Sequence, residues 1–162
     1  MKRLRIAIDL RLAVLASLTF AACTSSSAAL YRQASVQVSE KDYRLVTGTE
    51  VVFESCFRKT QPYPDAVSGY CIVIPVEPHQ LVVGRVIRFG PTSTRAYLWQ
   101  LNGPSHNLTH EVEGELRIVT SGAGSIRAAL HAKTSTAVIG RWQWKFEGED
   151  RYILKSLPPP NG

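Results

Sequence analysis

Thiols, imidazoles and a run of carboxylates are the side chains in this chain whose spacing suits chemistry. Cys56 and Cys71 bracket a proline-containing stretch, as a disulfide pair, a metal pair or a catalytic thiol with a partner would. His106 and His110 are one helical turn apart, with Glu111 next. On a helix the two rings would share a face and suit a divalent metal. The zinc-protease pattern has Glu directly after the first His, and Asn107 stands there instead. The residues around His110 read as loop leading into strand. Glu111, Glu113 and Glu115 alternate with Val112, Gly114 and Leu116, which describes the wet side of a strand better than a calcium site or a catalytic carboxylate pair. No serine sits in a glycine-flanked elbow, and no glycine-rich phosphate loop follows a strand. The expectation is a non-enzymatic protein with no metal and no cofactor.

The elements that place these groups begin with an export segment. Lys2, Arg3, Arg5 and Arg11 form a basic start, with Asp9 as the single acid. Leu12 to Ala22 is an apolar or small-residue run, too short for a spanning helix, which needs about 20 residues. Ala21, Ala22 and Cys23 follow, with Phe20 before them and Thr24-Ser25-Ser26-Ser27 after. This segment resembles the signal peptide and lipobox of bacterial lipoproteins, with Phe20 in place of the usual leucine. The resemblance implies cleavage before Cys23, acylation of its thiol and anchoring in a membrane. An aspartate after the cysteine would imply inner-membrane retention, and Thr24 there implies the outer membrane, facing the periplasm. The alternative is an ordinary secreted protein cut further on, after Ala29.

Residues 1–22 are then a signal peptide, residues 23–34 a lipidated polar tether, residues 35–157 one domain and residues 158–162 a disordered proline-rich tail. Nineteen Lys and Arg against thirteen Asp and Glu give +6, but the signal carries much of that excess. The mature chain holds +3, too little for a nucleic-acid partner. With Cys23 used by the anchor, Cys56 and Cys71 remain as an even pair in an oxidising compartment, so a disulfide is expected.

Nearly all of the mature chain alternates with period two and is rich in Val, Ile, Thr and aromatics. The strands expected are 35–38, 43–47, 50–57, 70–76, 81–89, 95–101, 111–120, 125–131, 136–146 and 151–157. Consecutive strands with short links imply an all-β antiparallel meander, either a β-sandwich or a small up-and-down (calycin-like) barrel. One hairpin is expected to pair Ile118 with Ile126 and Leu116 with Ala128. Its link should hold three or five residues, with Gly122 or Gly124 left-handed. A second hairpin is expected to turn at 147–149 and set Trp144 opposite Tyr152.

Two surfaces are candidates for binding. Arg127, Arg141, Lys145, Arg151 and Lys155 form a basic outer face suited to an anionic envelope component or an acidic envelope protein. A solvated sheet face is the plainer reading. The loop from Arg58 to Gly69 carries Arg58, Lys59, Tyr63 and Asp65 and is stiffened by Pro62 and Pro64, so it is a recognition loop or a surface decoration. The function expected is a membrane-anchored periplasmic lipoprotein with a binding or structural role. The alternatives are a lipocalin-like carrier of a small apolar ligand and an inhibitor of an envelope or invading enzyme.

Overall fold

The computed structural model describes residues 24–60, 67–102, 108–134 and 145–159. Its strands are β1 Thr24–Val38, β2 Tyr43–Thr60, β3 Val67–Val76, β4 Val86–Phe89, β5 Ala96–Asn102, β6 Leu108–Ser121, β7 Ser125–Thr134 and β8 Lys145–Lys155. No helix among the described residues is long and apolar enough to cross a membrane. The strand order is β4-β6-β5-β3-β2-β1-β8-β7, and β7 returns to β6, which closes seven strands into a mixed barrel with one extra strand. The extra strand, β4, lies on the same edge of β6 as β5. It pairs with Gly114–Arg117, while β5 pairs with Leu108–Val112. The two are halves of one barrel position, parted by a short excursion that a Gly90 N–H to Thr94 carbonyl bond of 2.9 Å holds together.

Counted this way, the barrel is an up-and-down meander of seven. Antiparallel neighbours alternate in direction, so the first and last members of an odd set point the same way. The closing pair therefore has to be parallel, as it is. Strands β1 and β8 meet at Ala29–Ile153, Leu30–Leu154 and Tyr31–Lys155.

Alternation along each strand fills the interior. Phe53, Ile72, Leu98, Leu116, Ile118, Ile126 and Tyr152 are among the buried members of one continuous cluster. The Tyr152 ring meets Phe53 edge-on at 4.9 Å, and its hydroxyl bonds Ser55 Oγ at 2.7 Å. A second, smaller cluster lies on the outside of the wall: Ala29, Tyr31, Ala34, Val52 and Val73, covered by Val36, Tyr43, Leu45 and Leu157. What covers it is the far half of the β1–β2 hairpin. Ala34 pairs with both Thr47 and Glu50, and Gln33 adopts a left-handed φ of 51°. Gly48 fills the inside of this corner, where a Cβ would lie 2.0 Å from Ser35 Oγ. Beyond it the arm folds across the outer wall until the Glu40 carbonyl accepts from the Thr109 N–H at 3.0 Å.

Several sequence expectations change. The segment 24–34 is not a tether but the first half of β1. Small residues there look linker-like, yet Ala28 and Leu30 pack against the interior cluster while Ala29 and Tyr31 belong to the outer one. With both faces covered, no apolar–polar alternation survives to announce a strand. Residues 81–85 are turn rather than strand, with Val82 and Val83 exposed. Gly148 does not turn. Residues 145–153 pair one by one with β7, so the expected second hairpin is absent. A turn there would forfeit that run of ladder bonds. Lys145, Arg151 and Lys155 consequently share one strand, and Trp144 lies outside the described residues.

In the other hairpin the faces hold but the register slips by two, with Leu116 opposite Leu130 and Ile118 opposite Ala128. A bulge between Ile118 and Thr120 absorbs one residue, and the strand ends leave the three residues 122–124 between them. Neither Gly122 nor Gly124 is left-handed. The glycine that matters is Gly114, now opposite Ala132, where a Cβ would sit 2.1 Å from the His131 carbonyl oxygen. The close approach of β7 to β6 depends on it.

Cys56 and Cys71 face each other in the β2–β3 register and form the expected disulfide, on the outer wall. Closing a loop of separation 15 contributes about 3 kcal/mol in the chain-entropy model.

Candidate functional site

Between the folded-over arm and the outer wall runs a groove of about 630 Å³. Tyr31 of β1, Glu54 of β2 and Trp99 of β5 face it from the wall, and Tyr43 and Arg44 face it from the arm. The Cys56–Cys71 disulfide lies in its floor, and Pro158 and Pro159 form part of its rim. The described part of the tail is thus laid against the barrel by Leu157, which packs on the outer cluster.

Glu54 is the chemical centre of the groove. Even-numbered residues of β2 face outward beyond the Gly48 corner, so Val52, Glu54 and Cys56 share the outer side. The Tyr31 hydroxyl donates to Glu54 Oε2 at 3.0 Å, and the Tyr43 hydroxyl donates to Oε1 at 2.5 Å. Burial, with the Glu54 charge second, holds both phenols well above the usual tyrosine range. Both therefore stay protonated donors, and the carboxylate keeps its remaining lone pairs toward the groove. Trp99 stands edge-on to Tyr43 at 5.9 Å, and its indole N–H donates to the Lys41 carbonyl at 3.2 Å. Among the described residues no Lys or Arg forms an ion pair with Glu54. Asp42, Arg44 and Lys155 at the rim are exposed, so water screens them, whereas Glu54 is half-buried. A half-buried carboxylate beside electron-rich rings is chemically a receptor for a cation on an apolar body.

The predicted basic face is a mixed one. Arg127 is paired with Glu149, and Lys133 lies 2.9 Å from Glu113. Arg127 opposes Arg151 in the ladder, and Lys133 opposes Lys145. Arg151 Nε donates to Ser125 Oγ at 3.1 Å. Lys155 sits apart at the groove rim, and Arg141 lies outside the described residues. In the recognition loop, Arg58 and Lys59 belong to the end of β2, while Tyr63 and Asp65 lie outside the described residues, as do Cys23 and His106. His110 is in β6, and burial pushes its imidazole below the usual range. Glu111 and Glu113 pair with Arg95 and Lys133 on the wet face of β6. Among the described residues no group of three or more metal-type ligands converges.

The groove is hidden in the sequence because Tyr31 reaches Glu54 diagonally across the β1–β2 ladder, and Tyr43 reaches it only after the hairpin folds over. The available signal was Gly48 in mid-strand, which marks a bend or a close approach.

No family model, no curated protein and no solved structure matches this chain.

The phenols make the barrel sensitive to alkali. Burial, with Asp150 adding and the Ser55 bond opposing, has Tyr152 pushed up to about 12 from its ordinary 10. Between those values the unfolded chain releases this proton and the folded chain keeps it, so stability falls as pH rises. Below pH 10 the contribution is complete. The loss through the window is about 3 kcal/mol. Urea unfolding across that range should show the fall, and Tyr152→Phe should flatten it in part. Tyr31 and Tyr43 act in the same direction and supply the rest.

Proposed function

We propose that this chain is a bacterial envelope lipoprotein, anchored through acylated Cys23 and facing the periplasm from the outer membrane, whose barrel is a non-catalytic binding module. The observation that carries the binding role is the outer groove with Glu54 held between two phenol donors. Its ligand carries a cationic nitrogen for Glu54 and an apolar or aromatic body for Trp99 and Tyr43. A carrier of the lipocalin type would hold its ligand inside the barrel, where the described side chains instead form one packed cluster.

The pairing of β1 weighs against a later cut. Cleavage after Ala29 would remove that fully buried residue and the six pairs from Thr24–Lys59 to Ala29–Glu54. The ends of β2, β5 and β7 and the starts of β3, β6 and β8 lie at the same end of the barrel as Thr24. That end faces the membrane.

A phenylalkyl-ammonium compound and the matching carboxylate test the groove. The ammonium should shift the Trp99 indole N–H resonance, and Glu54→Gln should weaken binding about tenfold, the scale of one charge-assisted contact. Equal binding of the two compounds, or no shift with either, would contradict the reading.

A further inference from the structure

Among the described residues, the barrel closes along one side by three residue pairs. Beyond Ala29–Ile153, the parallel register would continue through 28–152 to 24–148, yet among the described residues none of these positions is paired across the seam. Residues 24–28 remain paired with β2 and residues 148–152 with β7, so each strand turns one unpaired edge to the gap. A cleft of about 260 Å³ opens there. Ser26 and Ser27 line one side, Gly148 and Asp150 the other, and Phe57 and Tyr70 stand behind.

The inward positions of β8 are unlike those of its neighbours. On β7 they are Ile126, Ala128, Leu130 and Ala132, all buried. Opposite them on β8 stand Tyr152, Asp150, Gly148 and Phe146. A Cβ added at Gly148 would meet nothing within 4 Å, and among the described residues Asp150 has no ion-pair partner. Both positions are exposed at the mouth of the cleft, and neither adds apolar packing to the closure. The carboxylate's charge is felt inside the cleft, since Asp150 helps hold the Tyr70 phenol above its usual range, after burial itself.

We propose that the seam between β1 and β8 docks an extended segment of a partner protein, which enters as an eighth strand and sets a lysine or arginine against Asp150. The topology favours this occupant. Because β1 and β8 are parallel, one strand laid between them can run antiparallel to both at once. The odd mixed barrel then becomes an even, all-antiparallel one, and both unpaired edges gain ladder bonds. The partner segment carries period-two alternation. Its inward side chains fill the space over Gly148 and touch Phe57 and Tyr70, and the one facing Asp150 is cationic. The cleft adjoins the Glu54 groove through Ser27 and Cys56, which line both, but its carboxylate is Asp150 and it stands or falls without Glu54.

The test uses the mature chain released by Cys23→Ser. The compounds added are a short peptide alternating valine and threonine with one central lysine, and its twin with glutamate there. The lysine peptide should slow amide exchange in residues 25–28 and 148–151. It should bind about tenfold more tightly than its twin, and Asp150→Asn should remove that preference. Gly148→Val should block the peptide while leaving the melting temperature unchanged. Unaltered exchange with both peptides would overturn the proposal. So would an Asp150→Asn protein that still discriminates between them, or protection of the same amides by phospholipid vesicles alone, which would make the seam a lipid site.

Discussion

Replacing Cys23 with serine should move this protein from the membrane pellet to the soluble periplasm and leave its melting temperature unchanged. The size of the effect follows from the acyl chains proposed on Cys23. Each buried methylene contributes about 0.8 kcal/mol, so two long chains hold on the order of 10–20 kcal/mol. The +3 charge of the mature chain cannot replace that, since cations beside an anionic surface contribute only about 1 kcal/mol each and screen with salt. None of the described strand pairs involves residue 23, so the barrel keeps all of them. Fractionation by ultracentrifugation, with thermal melts of the released protein, checks both halves. A serine variant that stays in the pellet and is freed by salt would replace the lipid anchor with electrostatic attachment.

Phe53→Ala should lower the barrel's stability by about 3–5 kcal/mol, the range for deleting a buried aromatic ring. Phe53 has no exposed surface and packs edge-on against Tyr152, joining β2 to β8 across the interior. Tyr152 in turn reaches back to Ser55 on β2. The β7 ladder holds one edge of β8, and this cross-barrel contact reinforces the other side, where β1 supplies three described pairs. The cavity cannot collapse easily, because the neighbouring positions are set by ladder bonds on both sides. Urea unfolding should give a lower midpoint with an unchanged slope. A loss under 1 kcal/mol would mean that the interior is not packed as described.

The all-β class was legible in the alternation of residues 50–57, 70–76, 95–101, 111–120 and 125–131, because each has one face toward a dry core, while sandwich and barrel both remained open. The Cys56–Cys71 bond was legible from the even pair left once Cys23 is assigned to the anchor. What escaped had a physical reason each time. β1 is covered on both faces, so Ser25 to Ala29 looked like linker. Gly148 between acids resembled a turn, and only the pairing partner on β7 shows it as strand. The slip from Ile118–Ile126 to Ile118–Ala128 preserves every face, so alternation cannot distinguish the two registers. The groove depends on a fold-over at Gly48 that brings Tyr43 back onto Glu54 in its own strand. The seam depends on closure, and alternation leaves open which strands meet. The parity of the strand count implies a parallel closing pair once a seven-strand barrel is known.

The measurement that bears most directly on the anchored barrel is the intact mass of the protein extracted from membranes. The account predicts a chain that starts at Cys23, carries acyl chains on that residue, and is two hydrogens light from the Cys56–Cys71 bond. A chain in the soluble fraction that starts beyond Ala29, unacylated, would contradict it, because that cut removes the six pairs that Thr24 to Ala29 make with β2.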